Sequence, residues 1–501
     1  MWGSKLDMPT QSLQLSDAVS WHGCVLAYGH FNTIHPGHIR YLRHARGLGE
    51  KLVVALIGDG KNKYTFKQQE RAEALSLLGI TDGLLLLEEN ELKQVIEKLR
   101  PKILVLGNEF KNNTEIQSTL VKQRENGGSV QFHAGDIHYA TADLLTGSER
   151  DLRQQRQLLF NEACRRQEID HKQLQKAINT WGNTKLIVLG DTIVDQYAAC
   201  EAVGMSAEAP VVVVKELENR NFIGGAAVVA AHIVALGAQC DFISVVGEDS
   251  TAEIVRQELA MQGIGDGLST DASRPTTFKK RYVVENQKLF RVSRLEEHNL
   301  DADVEDQLIE KLKKLAPNAH GIVISDFVYG VVTPRVLEAA QLLAQEHDLL
   351  LFGDLQCSSQ VGSVTRFKNF SLLCPNEREA RLALQDKDSG LEQLSQHLIQ
   401  VTNSERLVMK LGPEGFIAYD RDTKGEVRNQ AFPALSVNPL DVAGAGDSLL
   451  ALFATGLASG QEMMPTAALA CCMTALAVET MGNTPINAEA LRSNLQEIMM
   501  S

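Results

Sequence analysis

Among 501 residues there are eight cysteines, and no two of them stand in a C-x-x-C arrangement. That spacing marks zinc ribbons and dithiol redox sites, so neither is expected. Cys471 and Cys472 are adjacent, which suits small buried hydrophobes in a reducing cytosol better than a disulfide framework. Basic residues are in deficit, 49 against 63 acidic, and the formal net charge is -14. Nucleic acid is therefore not expected as the main partner, although an acidic chain still binds nucleotides through local donors. Low-complexity tracts and internal repeats are missing, and Met1–Ser20 is polar, without the apolar segment of a signal peptide. The uncharged, Ala-rich stretch Met463–Val478 is too short and too weakly apolar to span a bilayer, and reads as a buried helix. No membrane partner and a cytoplasmic location are the expectations.

What remains is an ordinary globular balance, 44% hydrophobic and 22% charged, in a chain long enough for two or three domains. Its most informative stretch is Asn438–Leu450. A turn signal, Asn438-Pro439, leads into Gly444-Ala445-Gly446-Asp447 and then an apolar run at helical spacing. Small residues there let backbone N–H groups approach a ligand. The start of a helix carries unpaired donors and the positive end of the peptide dipoles, which suits phosphate oxygens. Asp447, in the first turn, stands where a carboxylate takes a proton from an attacking hydroxyl. The same residues also read as a tight turn and a capping Asp, and this stretch alone leaves both open.

In the amino-terminal third, Cys24–Tyr28 reads as a buried strand, Ile39–Ala45 as a helix and Leu52–Ile57 as a parallel strand. Between strand and helix lie His35 and His38, three apart, aimed where a helix terminus holds phosphate. Two imidazoles there can stabilise charge growing on an α-phosphate as pyrophosphate leaves. The alternatives are two surface histidines beside a Pro-Gly turn, or a metal pair without its other ligands. The run Gly29, Phe31, His35, Gly37, His38 resembles the Gly-x-Phe-Asp-x-x-His-x-Gly-His signature of the nucleotidyltransferase superfamily, with Asn32 in place of its Asp. The resemblance extends through Gly58-Asp59-Gly60, the Glu70-Arg71 helix and Arg100–Phe110. It implies nucleotide-binding roles for Phe31, Lys61 or Lys63, and Arg71. The closing hydroxyl-rich element appears only as Ala140-Thr141-Ala142.

Ser148 to about Thr184 carries no strand signal and reads as one or two amphipathic helices ending at Asn183. Beyond it, strands are expected at Leu186–Asp191, Phe242–Val246, Gly321–Ser325, Leu349–Phe352, Ser371–Cys374 and Arg406–Met409. Helices between them imply a doubly wound sheet, whose ligands collect at the strands' carboxyl ends. Gly224-Gly225, Ser325-Asp326, Asn376–Glu379, Lys410–Gly415 and Asp441–Asp447 occur in that order, and together resemble the ribokinase-like carbohydrate kinases. Gly204–Val211, Phe278–Tyr282 and Leu289–Glu297 resemble, more narrowly, the heptose-phosphate kinase part of bifunctional ADP-heptose synthases. Those enzymes also carry a His-x-Gly-His transferase, but in the opposite order. Three departures stand out: the family's Asn after Gly-Gly-Ala-Ala is Val228, the Thr of its Asp-Thr-x-Gly-Ala-Gly-Asp is Val442, and its Asp-Pro-Lys is Asp354-Leu355-Gln356.

The fold class expected is α/β with two doubly wound domains. Residues 1–150 form a Rossmann-like nucleotidyltransferase, 151–183 a helical connector, and 184–501 a ribokinase-like domain with a small β lid. The resemblance implies Asp447 as base and Gly444, Ala445 and Gly446 as an anion hole. Asp195, Gly224, Gly225 and Asp326 would hold the sugar; on their residues alone Asp195 reads also as a helix cap, Gly225 as a helix–strand packing position and Asp326 as a turn residue. Asn376, Glu379, Lys410 and Asp441 would lie at the nucleotide, with Glu379 the magnesium-linked carboxylate; Lys410 reads also as an exposed strand-end lysine. ATP and Mg²⁺ are the implied cosubstrate and cofactor, a sugar phosphate and a nucleoside triphosphate the partners, and a homo-oligomer the assembly. The implied activity is anomeric phosphorylation of a sugar phosphate plus nucleotidyl transfer to a sugar 1-phosphate. Rival readings are a sugar kinase whose degenerate transferase acts as a sensor or assembly module, and a non-catalytic scaffold, which the intact Asp447 disfavours.

Overall fold

The computed structural model describes residues 10–31, 34, 36–59, 66–88, 91–107, 110, 116–133, 149–206, 208, 211–284, 287–356, 362–422 and 424–500. Among the expected site residues, His35, Lys61 and Lys63 lie outside them, as do Asn32 and 140–142. The chain divides into two compact units, Met1–Leu152 with Gln385–His397, and Arg153–Leu384 with Leu398–Ser501.

In the first unit six parallel strands form one sheet: β1 (Gln11–Leu13), β2 (Val25–Gly29), β3 (Leu52–Leu56), β4 (Gly83–Leu86), β5 (Ile103–Gly107) and β6 (Ser129–His133), in the order β1-β4-β3-β2-β5-β6. Successive side chains of a strand point to opposite faces, and here both faces are covered. Leu26, Val53, Ala55, Leu104 and Leu106 pack on one side against Val95, Ile96 and Leu99 of the helix Leu92–Leu99. Val25, Ala27, Val54, Leu56 and Val105 pack on the other against Tyr41 and Leu42 of the helix Pro36–Gly47. The uninterrupted apolar runs seen in the sequence are what a sheet buried on both sides requires. The strand order reverses between β2 and β5, so the chain leaving β2 at Gly29 opens onto a topological switch point.

The second unit holds nine strands in the order β11-β10-β7-β14-β15-β16-β17-β18-β19. These are β7 (Lys185–Gly190), β10 (Gln239–Val246), β11 (Gly265–Thr270), β14 (Gly321–Asp326), β15 (Leu350–Leu355), β16 (Leu372–Leu373), β17 (Arg406–Lys410), β18 (Phe416–Arg421) and β19 (Val427–Phe432). All pairs from β11 to β17 are parallel, and β18 and β19 close the edge antiparallel. A separate four-stranded sheet, β13-β12-β8-β9, is the lid: β8 (Thr192–Met205), β9 (Val212–Gly225), β12 (Phe278–Val284) and β13 (Gln287–Arg294). Strands β9 and β13 of the lid are largely exposed, while the first half of β8 is buried.

The expected connector belongs to this unit's core. The helices Glu149–Arg166 and His171–Ile178 bury Phe160, Cys164, Leu174 and Ile178, and Trp181 follows fully enclosed, in one cluster with Ala467, Ala468 and Leu491. Met463–Val478 is a buried helix, as its composition indicates. No helix among the described residues is long and apolar enough to cross a membrane. The seven described cysteines are all free and buried.

Candidate active site

The helix Ala445–Ala458 begins at the Gly-rich turn with Gly444 as its N-cap, where first-turn N–H groups lack the i−4 carbonyl of a regular helix; that of Ala445 donates instead to the Val442 carbonyl at 3.4 Å. A Cβ on Gly446 would stand 3.3 Å from Lys410 Nζ and 3.7 Å from Asp354 Oδ2. Only glycine lets that ammonium come so close to the turn. Lys410, at the end of β17, bonds both carboxylate oxygens of the fully buried Asp354 at 2.7 Å. Burial pulls the lysine's pKa down, but Asp354 and Glu379 outweigh it and hold the ammonium charged.

Asp447 is 6% exposed, and the amide Nε2 of Gln356 donates to its Oδ1 at 2.7 Å. Burial, and then the charge of Asp354, push its carboxyl up to about 7 from 3.8, against the pull of Lys410 and Gln356. A carboxyl that titrates near neutrality suits proton transfer at that pH. Gln356 is the position where the resembled kinases carry the Lys of Asp-Pro-Lys. Here a cation arrives as Lys410 from β17, two strands away across β16, and Gln356 orients the acid instead. Asn376 and Glu379 exchange hydrogen bonds of 2.8 Å that cap the helix Glu377–Leu384. Gly444, Ala445, Gly446, Asp447, Lys410, Asn376 and Glu379 all line one cavity of about 560 Å³.

The expected sugar-holding residues separate. Asp195 lies within strand β8, which excludes the helix-cap reading. Gly224 and Gly225 end β9 opposite Ile193 and Thr192, and a Cβ on Gly224 would stand 2.5 Å from Asp195 Oδ2. These three therefore meet at one place. Asp326 does not join them: at 1% exposure its carboxylate is engaged by Arg366 and by the N–H of Val328 at 2.9 Å. Its role is to close the turn after β14. Asp441, expected at the nucleotide, instead accepts from Lys288 Nζ at 2.6 Å and from the Tyr197 hydroxyl at 2.7 Å, both from the lid. Burial raises this carboxyl, but Lys288, the Ala443 N–H and Tyr197 more than offset that and hold it low.

Three residues that sequence reasoning missed complete this side. Arg281 of β12 pairs with Asp195, and its guanidinium lies 5.4 Å over the Tyr197 ring. Lys288 comes from β13. Asn483 donates toward Asp195 Oδ2 at 3.4 Å, and its Oδ1 is buried with no hydrogen-bond partner among the described residues. Val228, where the family's Asn would stand, is fully buried. The run Lys279-Lys280-Arg281 in β12 and the recurring Lys288, Arg291 and Arg294 in β13 were a visible signal for the lid pair; nothing local marks Asn483.

In the first unit, Phe31 follows β2 with φ 48, a left-handed turn uncommon for a bulky residue. It is 2% exposed, with its ring 5.1 Å from His38 and 6.0 Å from Tyr41. Arg71, 1% exposed, donates to the carbonyls of Phe66 and Ile57 at 3.1 Å, to that of His30, and to Asp59 Oδ1 at 2.7 Å. It ties together the chain leaving β2 and the chain leaving β3. His38 is half-buried at the start of the helix Pro36–Gly47.

Comparison with known proteins gives two family matches. Residues 183–490 match the model of the pfkB family of carbohydrate kinases, and residues 26–231 match a cytidylyltransferase-like model, the two overlapping at 183–231. Among curated relatives, the bifunctional protein HldE of Pelobacter propionicus is 29% identical over 323 residues, 64% of each chain. HldE of Campylobacter jejuni subsp. jejuni is 30% identical over 313 residues, 62% of this chain and 64% of the relative. The chain thus spans about 64% of the length of the curated relatives it matches. Among solved structures, phosphofructokinase-2 from Escherichia coli in complex with fructose-6-phosphate superposes with a TM-score of 0.53 at 17% identity, over 63% of this chain and 99% of that one. The same enzyme in complex with potassium gives 0.52 over the same shares.

Proposed function

The chain belongs to the pfkB family of carbohydrate kinases, and on that premise we propose that its second unit transfers the γ-phosphoryl group of ATP to the anomeric hydroxyl of a sugar phosphate. We propose further that the first unit transfers a nucleotidyl group from ATP to a sugar 1-phosphate. The observation that carries the first reading is a carboxyl held near 7 in the first turn of a helix, within one cavity with the Gly-rich turn and Lys410. Asp447 takes the proton of the sugar hydroxyl, whose oxygen attacks the γ-phosphorus as the bond to the β-phosphate oxygen breaks and ADP leaves. The N–H groups of Gly444, Ala445 and Gly446, with Lys410, receive the charge that develops on the phosphoryl oxygens. A Mg²⁺ ion carried in on ATP needs only one or two protein carboxylates, and Glu379, 5% exposed in the cavity wall, fits as one. Bound there, it would shield the phosphates.

Asp195 and Asn483 face the sugar hydroxyls, and the lid cations Arg281 and Lys288 suit a substrate that already carries a phosphate. The resemblance of Gly204–Val211, Phe278–Tyr282 and Leu289–Glu297 to heptose-phosphate kinases makes a heptose 7-phosphate the proposed substrate. In the first unit, His35 and His38 stabilise the α-phosphate as pyrophosphate departs, Lys61 or Lys63 neutralises phosphate, and Arg71 holds the loops in place. The two chemistries connect, since a sugar phosphorylated at its anomeric position has the group that a nucleotidyltransferase consumes. The lid exposes Val203, Met205, Leu217, Phe290 and Val292, each at least half exposed, which supports association with a second copy. The cytosol, with its reducing conditions, suits the seven buried free thiols.

A second reading, a kinase with a nucleotide-sensing first unit, is favoured by one observation. Phe31 is sealed in the core and Arg71 bonds backbone carbonyls, so neither residue is presented to a nucleotide. Incubating the protein with ATP or CTP and a panel of heptose and hexose phosphates, then reading product masses, decides between them. The expected products are a sugar bisphosphate and, from 1-phosphates, a nucleotide sugar with pyrophosphate. Bisphosphate without any nucleotidyl product would establish the second reading. No ATP consumption with any sugar phosphate would remove the kinase.

A further inference from the structure

The cavity beside Asp447 has walls of two chemistries. Lys410, Glu379 and the Gly-rich turn are polar and suit a triphosphate; Pro433, Leu435, Val437 and Val478 are apolar and suit a base. Among the polar groups that interrupt the apolar wall, two belong together. Ser436 is only 9% exposed, and its Oγ has no hydrogen-bond partner among the described residues. A hydroxyl buried without a partner is unfavourable until something satisfies it. The other is Arg156, whose guanidinium donates to the carbonyl of that same Ser436. Arg156 stands on the helix Glu149–Arg166, before residue 183, where the match to the carbohydrate kinase model starts. The contact joins residues 280 positions apart, so it exists only because the connector packs into the kinase core.

We propose that this helix is part of the kinase's nucleotide site. Arg156 is a positioning residue that fixes the wall at Ser436, and the Ser436 hydroxyl then hydrogen-bonds the purine of bound ATP. The proposal rests on the kinase reading above, because it takes the Gly-rich turn as the seat of the triphosphate. It follows that residues 184–501 alone would lack one wall support of their own active site.

The test uses the full chain and two probes, ATP and inorganic tripolyphosphate, which has no base, with dissociation constants read by calorimetry. Arg156→Ala and Ser436→Ala should each weaken ATP about five- to tenfold, the scale of one neutral hydrogen bond, while leaving tripolyphosphate within about twofold. Arg156→Lys keeps a donor and should recover most of the loss. The double variant should bind ATP no more weakly than the poorer single one, because Arg156 acts through Ser436. In steady state, KM for ATP should rise by more than kcat falls. Should Arg156→Ala fail to fold, Arg156→Lys and Ser436→Ala decide the matter. Unchanged ATP affinity in the variants, additive losses, or equal weakening of tripolyphosphate would overturn the proposal and leave the kinase standing. A wild-type chain that binds neither probe would overturn both.

Discussion

The two units assemble their sites in opposite ways. In the second, the acidic and basic groups bond one another: Gln356 to Asp447, Lys410 to Asp354, Arg281 to Asp195 and Lys288 to Asp441. In the first, Arg71, the one buried cation among the described residues, bonds mainly to backbone, and His38 leans on an aromatic ring. Groups packed in one buried cluster tune each other's charge: burial and the charge of Asp354 lift Asp447 to about 7, and Lys410 and Gln356 pull against them. A guanidinium that bonds carbonyls fixes the path of a loop and leaves the chemistry to whatever that loop carries. The kinase is therefore built for tuned acidity, and the transferase-like unit for held geometry.

Substitutions at the two centres test this contrast most severely. Asp447→Asn should lower kinase kcat by at least ~10²-fold while pyrophosphate release by the first unit is unchanged. Unaltered ATP turnover in that variant would take Asp447 out of the mechanism. His38→Ala should do the reverse, abolishing pyrophosphate release on the order of 10²-fold and sparing the kinase, if the transferase is active. A smaller effect comes from pH. The base acts only when ionised and its carboxyl sits at about 7, so kinase kcat/KM should climb as pH rises through that value and fall about tenfold per unit below it. A profile flat from pH 5 to 8 would break the claim that burial tunes this acid. The smallest change expected is at Gln356. Its hydrogen bond favours the ionised form, so Gln356→Ala should move the limb to higher pH and cost a few-fold in rate at neutrality. Movement to lower pH would show that another group dominates.

What the sequence disclosed was local. The glycine turn with its aspartate and the apolar runs of the parallel strands each lie within about a dozen residues, and each appears where its pattern indicates. What it withheld is non-local. Asn483 meets Asp195 across 288 positions and Tyr197 meets Asp441 across 244, and no spacing rule reaches that far. Asp441 was expected at the nucleotide from its place in the Asp441–Asp447 motif, but its carboxylate bonds Lys288 and Tyr197 of the lid. Asp326 carried a family motif, yet its carboxylate is buried against Arg366. The exchange at Gln356 and Lys410 was half visible. The missing lysine showed in the sequence, whereas its replacement on β17, two strands away, needed the sheet order to be seen.

Cys471 also lines the nucleotide cavity, where its thiol donates to the carbonyl of Pro433 at 3.0 Å, and burial holds its proton far more tightly than usual. Alkylating reagents attack thiolates, so this sulfur stays silent while the surrounding chain keeps its shape. The molecule thus contains its own gauge of breathing: the rate at which iodoacetamide marks that position, with and without nucleotide, reports how often the pocket comes apart.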